Sequence, residues 1–202
     1  MTSSFDERAQ AWDEQPRRVQ LAADIFAALE KQIPLHSDMA ALDYGAGTGL
    51  LTLALAPRVR RITAVDSSAG MLEVLAQKAR AAGFGSIVRL QSDFAKDSLP
   101  PGPYDLIASA MTLHHVADVA VLFRKFISLL ARGGQIALAD LDAEDGTFHE
   151  NSGGIPHFGF DREGFSNQLA AAGFADIRFA SAARIEKNAR TYSVFLATAR
   201  KP

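Results

Sequence analysis

Cysteine is absent from the 202-residue sequence. Its absence excludes disulfides, thiolate metal sites and a thiol nucleophile, and it fits a reducing compartment. Long hydrophobic runs are missing as well: none approaches the roughly 18 residues needed to cross a bilayer, so no membrane span is expected. Residues 1–14 are polar and acidic where a secretory leader would need a basic start and an apolar stretch. A cytoplasmic location is the resulting expectation. Nor is there an excess of positive charge. The 21 Lys and Arg residues oppose 23 Asp and Glu, a formal net charge of -2, which leaves no global positive field to hold a polyanion. Nucleic acid is therefore not an expected partner. The densest basic spot, Arg58, Arg60 and Arg61, interrupts an apolar pattern at a helix-to-strand junction and reads as a solvated turn.

What is present is an ordinary globular composition. Hydrophobic residues make up 48% and charged residues 22%, which suits one substantial core and a single domain over residues 1–202. Short apolar runs alternate with helical periodicity, the pattern of βαβ units around a parallel sheet. Strands are predicted at Met39–Tyr44, Arg61–Asp66, Ser86–Gln91, Tyr104–Ser109 and Gln135–Leu141. Their nearly continuous apolar content is that of strands covered on both faces by helices. Val119, Leu122, Phe123, Phe126, Leu129 and Leu130 fall on one helical stripe, and Gly133-Gly134 is expected to stop that helix. Ser67 or Ser68 can cap a helix carrying Met71, Leu72, Leu75 and Ala79, and Asp161 precedes a shorter one with Phe165 and Leu169. Ahead of the first strand, Pro16 suits a helix start, and Val19, Ala22, Ala23, Phe26, Leu29 and Ile33 form a stripe expected to pack on the sheet.

The C-terminal part changes character. Phe174–Ser181 and Tyr192–Ala199 read as strands, but the link between them, Ala182–Thr191, is too short and polar for a crossover helix. An antiparallel pair is therefore predicted. Residues 142–160, rich in Gly, Asp and His, form the longest aperiodic stretch, and loops of that length are usually functional or disordered.

Chemistry is concentrated after the first two strands. Asp43-Tyr-Gly45-Ala-Gly47-Thr-Gly49 separates the first strand from the apolar helix Leu50–Ala56. Glycines at alternate positions let the backbone turn sharply and approach a ligand that a Cβ would exclude. They also leave helix N-terminal amides facing the crevice at the carboxyl ends of the strands. The spacing G-x-G-x-G, with Asp43 two residues ahead, differs from the dinucleotide fingerprint G-x-G-x-x-G and favours S-adenosylmethionine (SAM) over NAD. Asp66 ends the second strand, 23 residues after Asp43, where a carboxylate can accept from both ribose hydroxyls. Its alternative role is to cap the helix that follows.

Ala41–Leu50, Ala64–Met71, Gln91–Phe94, Tyr104–Val116 and Leu130–Leu141 together resemble class I SAM-dependent methyltransferases, in particular the small-molecule group with ubiquinone and menaquinone methyltransferases. The likeness runs from Ala41 to Leu141 with the motifs in family order. It implies a Rossmann-like, doubly wound α/β fold: a mostly parallel seven-stranded sheet, an antiparallel C-terminal hairpin and helices on both faces. It further implies that Asp43, Gly45, Ala46, Gly47 and Gly49 hold the methionine portion of SAM, that Asp66 grips the ribose, and that Ser67 is a further cofactor contact. Met71, Asp93 and Phe94 would then border the adenine, and Ala110 would line the cofactor edge. Taken alone, Asp93 reads more readily as a turn residue, and its register with the other motifs reverses that preference.

His114 and His115 follow the fourth strand at that edge. Either could take a proton from a hydroxyl acceptor, or both could simply hold the turn through backbone hydrogen bonds. Residues 1–35 are expected to form an N-terminal helical lid, with Arg18 reaching the methionine carboxylate and Trp12 either over the site or sealing the core. Residues 142–160 are expected to wall the acceptor side. Within them His149, His157, Glu144, Asp145 and Glu150 are ligand types without a recognisable metal-binding spacing, so no metal is expected.

The expected activity is transfer of a methyl group to an oxygen, nitrogen or carbon of a small-molecule acceptor. An amino-methyltransferase of nucleic acid would show Asn/Asp-Pro-Pro-aromatic where Ser109-Ala-Met-Thr stands. Arsenite methylation depends on cysteines that this chain lacks. A protein that binds SAM for sensing, or for transfer of another group, is the alternative the glycine loop leaves open. Oligomeric state is not legible.

Overall fold

The computed structural model describes residues 4–94, 97–149 and 153–202. The elements run α1 (Ser4–Arg8), α2 (Pro16–Gln32), β1 (Ala40–Tyr44), α3 (Leu50–Leu55), β2 (Arg61–Asp66), α4 (Ala69–Ala81), β3 (Ile87–Gln91) and β4 (Tyr104–Ala110). They continue with α5 (Val119–Leu129), β5 (Leu130–Leu141), α6 (Arg162–Ala171), β6 (Ala175–Lys187) and β7 (Arg190–Arg200). Short 3₁₀ turns lie at Trp12–Glu14, Ala56–Arg58 and Leu113–His115.

Seven strands form one sheet in the order β3-β2-β1-β4-β5-β7-β6. The first five are parallel, and β7 runs antiparallel to both neighbours. This is the Rossmann-like architecture that the sequence implies. Strand order reverses between β1 and β4, so a crevice opens at their carboxyl ends, bordered by the glycine loop and by the turn that carries His114 and His115.

Alternation along β1 divides the core. Leu42 and Tyr44 pack toward α5 and α6, with Phe123, Phe126, Phe165 and Phe195 among them; Ala41 packs toward α2 and α3, with Leu29, Leu55 and Ile62. Helix α5 starts at Asp118, whose carboxylate accepts from the Val121 amide at 2.9 Å. Asp118→Ala is expected to lower stability by about 1 kcal/mol, the usual cost of a lost N-cap. Urea unfolding checks it through a lower midpoint at an unchanged slope.

Three local expectations are corrected. The buried face of α2 is Ile25, Ala28 and Leu29, continued by Ile33, whereas Val19 is 41% exposed and Ala23 faces solvent. The C-terminal half of the helix rests on α3 and β6, which rotates the useful stripe away from the one that begins at Val19. Gly133-Gly134 does not stop α5, because the helix ends at Leu129 and β5 begins at once. Leu130 pairs with Tyr104, the register then slips, and Gln135 pairs with Leu106. The glycines serve that irregularity: Gly133 has φ +77°, and a Cβ on Gly134 would stand 3.0 Å from the Tyr104 and Ala131 carbonyls. Finally, most of residues 182–191 is strand. Ala183 and Ile185 are buried between exposed neighbours, and the hairpin closes through Asn188 and Ala189, both left-handed.

Candidate active site

The chain leaves β1 through three left-handed glycines, with φ +72° at Gly45, +54° at Gly47 and +84° at Gly49. The amides of Gly45 and Ala46 donate to the Val65 carbonyl at 2.8 and 2.9 Å, which fastens the loop to β2. A Cβ on Gly45 would lie 2.2 Å from the Thr112 side chain, so the turn after β4 can close on this loop only over glycine. A Cβ on Gly47 would meet nothing within 4 Å. The loop is thus packed at its start and open at its middle.

Asp66 borders that opening. Its Oδ2 accepts from the Gly47 amide and its Oδ1 from the Ser68 amide, both at 2.8 Å. Capping of α4 falls instead to Ser68, whose Oγ accepts from the Met71 amide at 3.1 Å. Burial raises the Asp66 pKa above the ordinary carboxylate value, against the lowering effect of the Ser68 and Gly47 amides. Asp43 lies beneath the loop, 1% exposed, and its Oδ2 accepts from Thr52 Oγ1 at 2.6 Å. Burial, with the charge of Asp66 nearby, pushes its pKa up to about 7.

Ala46 and Met71 are buried beside the loop, Ala110 is partly buried at the end of β4, and Ser67 is exposed. Phe94 is fully buried with its ring 5.0 Å from that of Tyr44, and its carbonyl accepts from Lys125 Nζ. The Asp93 amide donates to Asp97 at 2.7 Å.

The N-terminal segment crosses the same edge. Phe5 and Trp12 pack with Ala9, Met71 and Val74, and the Phe5 ring meets His115 edge-on at 5.4 Å. Arg18 stacks on Trp12, 3.7 Å from the ring centre, and donates to the Trp12 carbonyl at 3.1 Å, so its guanidinium is engaged there rather than in the crevice. Trp12 itself is half-buried.

The composition-based reading missed the acids that tie this segment down. Asp6 Oδ1 accepts from Ser68 Oγ at 2.5 Å and from the Gly70 amide at 2.9 Å. Asp13 accepts from Thr48 Oγ1 at 2.7 Å and from Lys78 Nζ at 2.5 Å. Acids scattered through a polar N-terminus carry no pattern that would have singled them out.

The histidines separate by environment. His114 is 2% exposed, with Nδ1 2.7 Å from Asp140 Oδ1. His115 is lowered to a pKa of about 4 by burial, reinforced by His114 and His149. His149 is lowered for the same first reason. Its ring lies 5.0 Å from His114 and 5.7 Å from His115, whereas His157 turns away to bond the Val116 carbonyl at 3.0 Å. Glu144 accepts from the Thr147 and Phe148 amides, Asp145 pairs with Arg190 at 2.7 Å, and Glu150 lies outside the described residues. Among the described residues no group of three His, Cys, Asp or Glu side chains is placed to hold a metal ion, and no helix is long and apolar enough to cross a membrane. Asp140 was also missed, although a lone acid in the apolar strand Ile136–Leu141 was a signal in plain view.

Comparison with known proteins bears on this crevice. A family model described as a methyltransferase domain matches residues 41–134, from β1 to the start of β5. An uncharacterized methyltransferase of Geobacillus kaustophilus is 33% identical over 147 residues, which are 70% of this chain and 64% of that protein. The chain therefore spans less than two thirds of that relative. In fold, it is similar to a chain of the complex between the Haloferax volcanii Trm112 methyltransferase activator and a methyltransferase, with TM-score 0.80, 19% identity, and coverage of 100% of this chain and 99% of that one. It is also similar to phosphoethanolamine N-methyltransferase 2 of Haemonchus contortus, solved in complex with SAM, with TM-score 0.74, 17% identity, and coverage of 100% and 60% respectively.

Proposed function

We propose that this chain is a class I SAM-dependent methyltransferase that moves the methyl group of SAM to an oxygen, nitrogen or carbon of a small-molecule acceptor, a reading supported by its match to a methyltransferase-domain model and to a methyltransferase relative. The observation that carries the reading is the hydrogen bond from the Gly47 amide to Asp66. It sets a backbone with open space above it and a half-buried carboxylate on one wall of the switch-point crevice.

That donor set fits the cofactor. The unobstructed side of Gly47 admits a ligand against the main chain, and the carboxylate of Asp66 retains lone pairs for two ribose hydroxyls. Asp43, Gly45, Ala46 and Gly49 would support the methionine end, with Ser67, Met71, Asp93, Phe94 and Ala110 around the adenosine. When bound, SAM supplies a methyl group already activated on a positively charged sulfur. What remains for the protein is alignment, which is worth up to about 7–11 kcal/mol in favourable intramolecular models. His114 or His115 would accept a proton where the acceptor still carries one.

Residues 5–18 would serve as the lid. They cover Met71 and are fastened to the glycine loop and to α4 through Asp13 and Asp6. Titration calorimetry with SAM, S-adenosylhomocysteine (SAH) and NAD tests the reading. Both adenosyl ligands are expected to bind and NAD is not; NAD binding with neither adenosyl ligand detectable would overturn the proposal. In the same experiment Asp13→Ala is expected to weaken SAH by about fivefold, the size of a half-exposed ion pair near 1 kcal/mol.

A further inference from the structure

Asp140 is a fully buried carboxylate that the reading above does not use. It stands in β5 and accepts three hydrogen bonds: Oδ1 from His114 Nδ1 at 2.7 Å and from the Leu141 amide at 2.8 Å, and Oδ2 from the His114 amide at 3.3 Å. A carboxylate that only accepts requires the proton of a neutral His114 to sit on Nδ1. Nε2 is then bare, on the far side of the ring from Asp140.

Around His114 the surfaces are aromatic. His115 lies at 4.2 Å between ring centres and His149 at 5.0 Å; Phe5 stands edge-on to His115 and Phe148 edge-on to His149. His149 Nε2 is buried and has no hydrogen-bond partner among the described residues. A buried ring nitrogen without a partner costs free energy unless a ligand bonds it.

We propose that Asp140 is a positioning residue for His114, and that His114 and His149 together receive the hydroxyl of an aromatic or enolic acceptor, with Phe5 and Phe148 as its walls. The inference rests on the methyltransferase reading and narrows its acceptor from any small molecule to an O–H on a flat apolar body. The depressed pKa values of His115 and His149 support it, since both rings are neutral near pH 7 and His149 can then donate from Nε2 to the hydroxyl oxygen while the hydroxyl donates to His114 Nε2. Arg8 lies 4.9 Å from the centre of the Phe5 ring and Lys187 5.3 Å from that of Phe148, so a cation flanks each wall.

The step balances within these groups. The acceptor oxygen forms a bond to the methyl carbon, the carbon–sulfur bond breaks with its electron pair left on sulfur, and the hydroxyl proton passes to His114 Nε2. The resulting imidazolium is paired with Asp140 until the proton leaves to water.

The test uses full-length protein with ¹⁵N-labelled histidine, saturated with SAH and titrated with phenol as the probe. Long-range ¹H–¹⁵N spectra are expected to show His114 protonated on Nδ1 and bare on Nε2. Phenol is expected to shift Nε2 of both His114 and His149. Asp140→Asn is expected to lose the His114 response while binding SAH within about twofold of wild type; His149→Ala is expected to weaken phenol by about tenfold, the value of one buried hydrogen bond. A wild-type His114 carrying its proton on Nε2, or phenol that shifts neither ring, overturns the proposal even if Asp140→Asn fails to fold. Undetectable SAH binding would instead count against the methyltransferase reading itself.

Discussion

Asp66→Ala is expected to weaken SAM and SAH by about 100-fold or more, the largest loss from any single change around the crevice. In the proposed complex the Asp66 carboxylate takes both ribose hydroxyls, and hydrogen bonds to a charged group are worth about 1.5–3 kcal/mol each. Even one such loss with partial compensation at the other approaches two decades in affinity. The same carboxylate orders the protein side, because it accepts from Gly47 in the loop and from Ser68 ahead of α4. Alanine would leave both amides without their acceptor and loosen the wall. Asp66→Asn separates the two contributions: it keeps one acceptor oxygen and the side-chain size, and its loss should be closer to tenfold. Calorimetric titration with SAH decides it. Undiminished affinity in the alanine variant would remove Asp66 from the ribose.

Asp43 is expected to make stability fall as pH rises from about 4 to about 7. The acid is fully buried, and burial pushes its folded pKa up to about 7 from an ordinary value of 3.8. Between those two values the folded chain holds a proton that the unfolded chain has released, so raising the pH favours unfolding. The contribution is complete below the unfolded pKa and is lost once the pH passes the folded one. A shift from 3.8 to about 7 corresponds to at most about 4 kcal/mol. Other carboxylates titrate over the same range, so the clean measurement is a difference. Asp43→Asn keeps an acceptor oxygen for Thr52 and cannot ionise. Relative to wild type it should be near-neutral at pH 5 and more stable by on the order of 2 kcal/mol at pH 8 in urea unfolding. Equal pH profiles for the two proteins would show that Asp43 is not held protonated by its surroundings.

These two acids were readable in the sequence because Asp43 stands two residues ahead of the alternating glycines and Asp66 ends the second strand, 23 residues later. The parallel strands were readable for a related reason: residues such as Ile62, Ala64 and Val65 are buried on both faces, and an unbroken apolar run is what that requires. Face assignment on α2 was less secure. Its apolar residues are small and spread around the helix, and burial is decided by where β6 and α3 happen to touch it. Gly133 and Gly134 mark a bulge rather than a helix stop, and a glycine pair supports either conformation equally well. The hairpin ran longer than expected because Ala183 and Ile185 are too few to register as alternation among charged neighbours.

Much of the candidate site was hidden for another reason. Asp140, Thr112 and Asp6 acquire their partners only across the sheet or across the crevice: Asp140 meets His114 26 residues away, Thr112 covers Gly45 from a separation of 67, and Asp6 reaches Ser68 from 62. No local periodicity encodes such pairs. The family motifs end near the glycine loop and the strand ends, whereas the histidine cluster and the N-terminal fastening depend on how separate segments meet.

The placement of β7 carries a cost during synthesis. It is the strand inserted between β5 and β6, and among the described residues β6 has no other neighbour in the sheet. While residues 190–200 are still inside the ribosome, β5 presents an unpaired edge and β6 has nothing to join. The nascent chain can assemble its parallel half early, yet it stays open to pairing with other chains until that insertion completes the sheet.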